Sequence, residues 1–326
     1  MQQILGRVGG EEGREGRCEG RNVIPTFRSS SLETLVSGEA DLAPADLTVG
    51  EGSVLGERFK VEVELGSGTF STVWRCWDRT SGHKVAVKVL KCSQTTKQQA
   101  KDEIKLMQDV EMAGQGHPGQ EAMVRLLDSF LQGAHHCLVL QLLGPDLLAC
   151  LHQCPHGTSL HLINMKQVMR QVLQGLVFLH TKADIIHTDI KPENVVLVNP
   201  SPGDLSQLVQ GIKVKIVDLG NACRKTKKVS YTIGTQEYRA PEVLLQAILS
   251  TPVDVWSAAC LAFELVTGDY LFEPTSDPKG VYSKDEDHLA LVTELIRPLP
   301  SNLATRGVNY NKFYSGPSLK PPRTHS

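Results

Sequence analysis

The sequence predicts an α+β protein of two lobes, a small antiparallel β lobe followed by a larger, mainly helical one. Three observations carry that reading. Between Phe59 and Lys91 three β-branched runs follow one another too closely for helical crossovers, so they pair as antiparallel neighbours. Beyond Gly144 the apolar residues recur mainly at helical spacing. And 326 residues suffice for one large domain, or two lobes, with a sizeable core.

In chain order, residues 1–57 come first. The run Glu11 to Arg21 mixes Glu, Arg and Gly, and the stretch after it stays polar and small, with too little apolar surface to offset chain entropy. This predicts a disordered N-terminal segment. The ordered domain is expected over 58–314, with the small lobe at 58–143 and the large lobe at 144–314. FKVEVELGSG (59–68) alternates apolar and polar residues and then breaks at glycines, as a strand entering a turn does. STVWRCW (71–77) and HKVAVKVLK (83–91) are two more strands, joined through Ser81-Gly82. Ala100, Ile104, Met107 and Val110 place an amphipathic helix over 97–113, and residues 124–131 and 137–142 read as strands. Val168, Val172, Leu176 and Leu179 define one face of a helix over 166–180. Residues 253–266 are apolar nearly all round, which predicts a helix buried in the core. Residues 315–326, rich in proline and basic residues, are expected to be a disordered tail.

Composition removes several classes. Lys+Arg number 34 against 36 Asp+Glu, a net charge of −2, so no basic surplus exists for general nucleic-acid binding. The eight cysteines are scattered without a CxxC pair, which reads as reduced thiols in an intracellular protein. The longest apolar stretch, 137–151, is broken by Gln141, Gly144, Pro145 and Asp146, so no membrane span is expected. Cys150, His152, Cys154 and His156 alternate soft ligands, but the period of two with Pro155 inside does not suit the usual zinc spacings.

The chemistry-bearing residues come in a definite order. Gly66 and Gly68 sit at a strand-to-strand turn where backbone N–H groups can approach phosphate oxygens, with Phe70 able to cap the loop; with no helix following, and Ser71 at the third glycine position, a dinucleotide fingerprint fails. Lys88 lies inside an apolar strand and needs an anionic partner, for which Glu103 on the next helix is a candidate. His187-Thr-Asp189-Ile-Lys191-Pro-Glu-Asn194 places a carboxylate to take a hydroxyl proton, a cation to meet a transferring phosphoryl group, and an amide oxygen to bind Mg²⁺. Asp218, at the end of a short strand, supplies a carboxylate at the place for a further Mg²⁺ ligand. Asp254 opens the buried helix, where its carboxylate is expected to accept N–H bonds from the 187–194 loop.

This order resembles the eukaryotic protein kinases over residues 59–314, and the Asp-Ile-Lys-Pro-Glu-Asn form resembles their serine/threonine branch. HTDIKPEN, DLGNAC and TGDYLFEP…SKDEDHLALVTELI are similar to the SR-protein kinases, which phosphorylate Arg-Ser repeats in splicing factors. The resemblance implies a bilobal protein-kinase-like fold that uses ATP and Mg²⁺. It implies that Asp189 is the catalytic base, Lys191 the γ-phosphate contact, and Lys88, partnered by Glu103, the α/β-phosphate contact. Asn194 and Asp218 become the metal ligands. ATP lies against Leu65, Gly66, Ser67, Gly68, Thr69, Phe70, Ser71, Thr72 and Val73, with Leu140 as gatekeeper and Gln141 to Leu143 as hinge. Asp277, Asp285, Glu286 and Asp287 become docking acids for arginine-rich proteins. A monomer acting on splicing factors in cytoplasm and nucleus, without direct nucleic-acid or membrane contact, is implied too.

Two departures shape the remaining expectations. Thr188 stands where an Arg usually precedes the base, which predicts activity without phosphorylation of Thr226, Ser230 or Thr232. The chain lacks an apolar helical pattern after Tyr314, which predicts an incomplete large lobe, marginal stability and no basic partner for Glu242. A kinase-like scaffold with weak or absent activity is the alternative this leaves open. Another is a neighbouring kinase family with other substrates, since Gly-Thr-Gln-Glu-Tyr-Arg (234–239) and Ala-Pro-Glu are closer to kinases in general.

Overall fold

The computed structural model describes residues 47–91, 94–114, 116–152, 159–199, 211–226, 233–315 and 318–319. The alternating segments of the first third form one sheet from β1 (Val54–Leu55), β2 (Phe59–Ser67), β3 (Ser71–Asp78), β4 (His83–Leu90), β5 (Leu126–Gln132) and β6 (His135–Gln141). The strands are antiparallel throughout, in the order β1-β2-β3-β4-β6-β5. One face buries Phe59, Val61, Cys76, Val85, Val87 and Val139. At the sheet's end, Arg58 grips the nearly inaccessible Asp78 through two bonds of 2.6 and 2.7 Å. The other face receives helix α1 (Gln94–Ala113), whose Ala100, Leu106, Met107 and Val110 pack with Leu90 and Leu138.

The ordered domain starts earlier than residue 58. Leu47 and Val49 pack on the sheet core, and Val54–Leu55 pairs with Lys60 and Phe59. These four apolar residues find cover on the exposed edge of β2, which composition alone does not reveal.

The large lobe contains α2 (Leu147–His152) and α3 (Leu162–Phe178), the latter running into a π-helical turn at Leu179–Ala183. Four short strands follow, β7 (Ile185–Ile186), β8 (Val195–Leu197), β9 (Val214–Ile216) and β10 (Cys223–Arg224), paired as β7·β10 and β8·β9. After α4 (Pro241–Leu244) comes α5 (Pro252–Thr267), which ends where Gly268 adopts φ +81° and returns its N–H to Glu264. Helix α5 buries Val253, Ala258, Leu261 and Leu265, but Val255 and Phe263 are 52% and 39% exposed, so burial is one-sided where the sequence suggested burial all round. Helices α6 (Lys284–Leu295), α7 (Ser301–Ala304) and α8 (Tyr310–Phe313) close over α4, where Leu244, Leu245, Leu289, Ala304 and Phe313 form a small core. Tyr314–Ser315 (β11) pairs with Ser318–Leu319 (β12), which carries the chain's pairing into the stretch expected to be a disordered tail.

Cys76, Cys137 and Cys260 are buried thiols pushed up to about 12 by burial, which makes them unreactive. Among the described residues no group of three metal-binding side chains exists; Cys154 and His156 lie outside them. No described helix is long and apolar enough to cross a membrane.

One buried base makes the lobe sensitive to acid. His288 on α6 is fully buried beside Phe272, ring centroids 5.3 Å apart, and neither ring nitrogen has a partner among the described residues. Burial pushes its pKa down to about 4, with Asp285 and Asp287 opposing that shift and Arg239 adding to it. The unfolded chain therefore binds a proton that the native lobe refuses, and stability present above pH 6.5 is lost as pH falls towards 4. Between pH 7.5 and 5.0 this amounts to about 2 kcal/mol. Urea unfolding of the wild type should show that loss, and His288→Leu should remove it. Equal pH slopes in the two proteins would exclude His288 as the sensor.

Candidate active site

Lys88 sits on the β4 face turned towards α1, between Ala86 and Leu90, while Val85, Val87 and Val89 fill the sheet core. Only 8% exposed, its Nζ donates to Glu103 Oε1 at 2.7 Å and Asp218 Oδ1 at 2.8 Å. Burial opposes the ammonium charge, but the two carboxylates outweigh it and hold the pKa above the ordinary lysine value. Burial likewise pushes Asp218 up, yet Lys88 pulls it below the ordinary range, so it stays ionised.

These groups floor a cavity of about 200 Å³. Its roof is Gly68 to Ser71, the turn between β2 and β3, with Phe70 at the tip 60% exposed. Space around Gly66 is open even to a Cβ, and the turn is closed by Gly68 N–H to Ser71 carbonyl, 2.8 Å, and Lys91 Nζ to the Gly68 carbonyl, 2.7 Å. Leu65, Gly66, Ser67, Thr72 and Val73 lie on the two strand ends that carry this roof, with Gly66 opposite Val73 and Ser67 opposite Thr72. Gln141 ends β6 and Leu143 follows it, both outside this cavity's lining; Gln141 N–H bonds the Arg125 carbonyl at 3.1 Å, and its buried Oε1 has no partner among the described residues. Leu140 precedes them, packed against the large core.

The 187–194 loop hangs from Asp254. That fully buried carboxylate accepts His187 N–H at 2.8 Å and Thr188 N–H at 2.7 Å, with His180 Nε2 at 2.7 Å. Thr188 is left at φ +71° and Asp218 at φ +65°, strained positions for non-glycine residues. Asp189 Oδ1 accepts both the N–H (3.0 Å) and the hydroxyl (2.8 Å) of Thr235. Its Oδ2 has only longer contacts, from Asn194 (3.3 Å), Asn221 (3.4 Å) and Lys191 (3.4 Å). Lys191 Nζ donates to the Thr235 hydroxyl at 2.8 Å, and Asn194 donates to the Asp189 carbonyl at 2.7 Å. Gly234 allows this approach: at φ +74°, a Cβ there would stand 2.6 Å from the Thr188 carbonyl oxygen.

The structure thus brings Lys88, Glu103, Asp218, Asp189, Lys191 and Asn194 to one cleft. Thr235 and Asn221 belong to the same constellation, although nothing in the sequence flagged them, because the bonds to Asp189 span 46 and 32 positions. An acidic group also went unnoticed. Glu264, 5% exposed, accepts from Tyr238 Oη and lies within electrostatic reach of Glu193 and Glu237, with Tyr270 edge-on to Tyr238 at 6.1 Å. Its pKa is raised first by burial and then, against Tyr238, by those two neighbours.

The four expected docking acids fare differently. Asp287 is 8% exposed and accepts from Thr275 N–H at 2.7 Å through Oδ2. Glu286 closes a capping box with Ser283 at the start of α6. Asp285 accepts from Gln236 at 3.1 Å, and Asp277 from Val281 N–H at 3.0 Å. Each of the four thus holds at least one hydrogen bond within the fold. Glu242 is half-buried, its pKa raised by that burial, and has no ion-pair partner among the described residues.

Residues 59–309 match the protein kinase domain family. The chain is 35% identical to the serine/threonine-protein kinase SRPK of Physarum polycephalum, over 81% of this chain and 72% of that protein. To human SRSF protein kinase 3 it is 28% identical, covering 81% of this chain and 76% of the relative. The probable serine/threonine-protein kinase yakA of Dictyostelium discoideum is 32% identical over 79% of this chain and 16% of its own length.

Asp254→Ala would strand two buried N–H groups and the His180 imidazole. It should cost about 3–5 kcal/mol, seen as a lower midpoint in chemical unfolding. A variant within about 1 kcal/mol of the parent would mean that the loop does not depend on this carboxylate.

Proposed function

This chain belongs to the protein kinase family, and to the SR-protein kinases within it, and we propose that it transfers the γ-phosphoryl group of ATP to serine hydroxyls flanked by arginine. It is a protein serine/threonine kinase. The substrate class, the roles of the residues and the metal are the proposal.

The observation that carries the mechanism is the unequal environment of the two Asp189 oxygens. Oδ1 is saturated by Thr235, whereas Oδ2 holds only contacts of 3.3 to 3.4 Å. A serine hydroxyl entering the cleft gives its proton to Oδ2, and its oxygen attacks the γ-phosphorus in line with the departing ADP oxygen. Thr235 keeps the carboxylate from turning, and Lys191, held on the Thr235 hydroxyl, faces the charge that develops. Lys88, kept ionised by Glu103 and Asp218, takes the α/β-phosphates beneath the 65–73 roof. The donor set suits Mg²⁺: Asp218 keeps Oδ2 beyond its bonds to Lys88 and Gly220, and Asn194 donates through its amide nitrogen, which leaves its carbonyl oxygen for a cation. When bound, that ion neutralises phosphate charge. The adenine would lie towards Gln141 and Leu143.

Support for arginine comes from Glu193, Glu237 and Glu264. Glu193 directly precedes Asn194, so a cation seated among these carboxylates would neighbour the accepting serine. One human relative is named for acting on SRSF proteins, which supports Arg/Ser-rich splicing factors as substrates; work as a monomer in cytoplasm and nucleus is part of the same proposal.

The test is radiolabel transfer from ATP to an Arg-Ser repeat peptide and to an arginine-free serine peptide. The repeat should be favoured by at least about tenfold in kcat/KM, and Glu193→Gln should shrink that preference while sparing the arginine-free peptide. Asp189→Ala should cut kcat by about 10²–10⁴ while leaving ATP affinity nearly unchanged. Equal use of both peptides would overturn the substrate class, and turnover retained in Asp189→Ala would overturn the base.

A further inference from the structure

Helix α1 carries Glu103 to Lys88, so whatever orients α1 governs the cleft. Six residues beyond Glu103, Asp109 forms an ion pair with the guanidinium of Arg224. Arg224 lies on β10, six residues after Asp218, opposite Ile185 of β7, and β7 runs directly into the His187–Asn194 loop. The same guanidinium donates through Nη1 to the Ala183 carbonyl at 2.8 Å, at the end of the π-helical turn. Next to it, Lys225 holds Asp184 at 2.7 Å. Helix α1 also pairs Glu111 with Arg125 at 3.8 Å, inside the small lobe. Asp109, by contrast, ties α1 to the large lobe.

We propose that Asp109 and Arg224 form a positioning clasp for phosphoryl transfer, holding α1 so that Glu103 stays on Lys88 while the Asp189 loop is in place. Arg224 touches neither ATP nor substrate and acts through α1 and the β7·β10 ribbon. The inference rests on the roles proposed for Lys88 and Glu103. An ion pair of this exposure, 35% and 21%, contributes little merely as a pair of surface charges. The planar fork changes that, since one guanidinium bonded to both a helix carboxylate and a fixed carbonyl sets an orientation as well as a distance. Both charges belong to the unmodified chain, so the clasp closes without a phosphate on Thr226, Ser230 or Thr232.

The experiment uses the full chain with Asp109→Asn, Arg224→Gln, and the reversed pair Asp109→Arg with Arg224→Asp. It reads kcat, KM for ATP and amide hydrogen exchange across 94–113. Each single change should lower kcat by about five- to tenfold and speed exchange around residues 103–110, and the reversed pair should recover most of both. Singles that keep kcat within about twofold and exchange unchanged overturn the clasp, as does a folded reversed pair no better than the singles. Arg224→Lys, which keeps the charge and loses the fork, should fall between wild type and Arg224→Gln; parity with wild type also overturns it. If Lys88→Met transfers phosphate like wild type, the Lys88 reading fails, and the exchange data still judge the clasp.

Discussion

A lysine ammonium withdrawn from water organises this molecule. Burying Lys88 without compensation would cost several kcal/mol, and the strand that carries it offers only apolar neighbours. Compensation arrives from two distant segments, Glu103 on α1 and Asp218 after β9, each within 2.8 Å. Those carboxylates repel each other and tolerate proximity because the ammonium lies between them. Three elements that share no local contact in sequence are therefore fixed around one charge, and the cavity under the glycine turn is the space they leave.

The large lobe repeats the device with the sign reversed. Asp254 is fully buried at the start of α5, and its carboxylate is satisfied by two backbone N–H groups and a histidine. Bonds of this charge-assisted kind are strong enough to hold Thr188 at φ +71°, a conformation that costs on the order of 1–3 kcal/mol. The consequence is directional, since a strained Thr188 turns its own hydroxyl to the Asn221 carbonyl and points the next residue, Asp189, into the cleft. The placement of Asp189 thus follows from a second carboxylate, buried at the start of α5.

Much of this was legible because the physics is local. The β2–β4 alternation, the α1 and α3 periods, the lysine inside an apolar strand and the 187–194 spacing are each set by neighbours within a few positions. What escaped the sequence depends on partners far along the chain. Thr235 gains its place because residue 234 is glycine, since a Cβ there would stand 2.6 Å from the Thr188 carbonyl oxygen. The Leu47–Leu55 stretch was misjudged because its apolar residues are few and find cover on an edge strand. The bonds of Asp287 to Thr275 and of Glu286 to Ser283 are likewise set by the fold around α6, which spacing alone does not display. One-sided burial of α5 escaped for the reverse reason, since uniform apolarity does not say which face a neighbour covers.

A net charge of −2 says nothing of where the charges gather, and Glu264 lies within electrostatic reach of both Glu193 and Glu237. Glu193 and Glu237 raise the energy of the ionised Glu264 carboxylate, which Tyr238 relieves in part through its hydroxyl. An arriving cation is favoured by that residual repulsion, whatever its identity. Choice between arginine and lysine then falls to geometry, because carboxylates on different elements offer separated acceptors that a planar five-donor fork can span and a point-like ammonium cannot. Tyr270, 43% exposed and edge-on to Tyr238, adds an aromatic face on which a guanidinium can stack. Preference for arginine would thus reside in the placement of a few half-buried oxygens and one ring, and it would survive salt better than attraction by exposed surface charge.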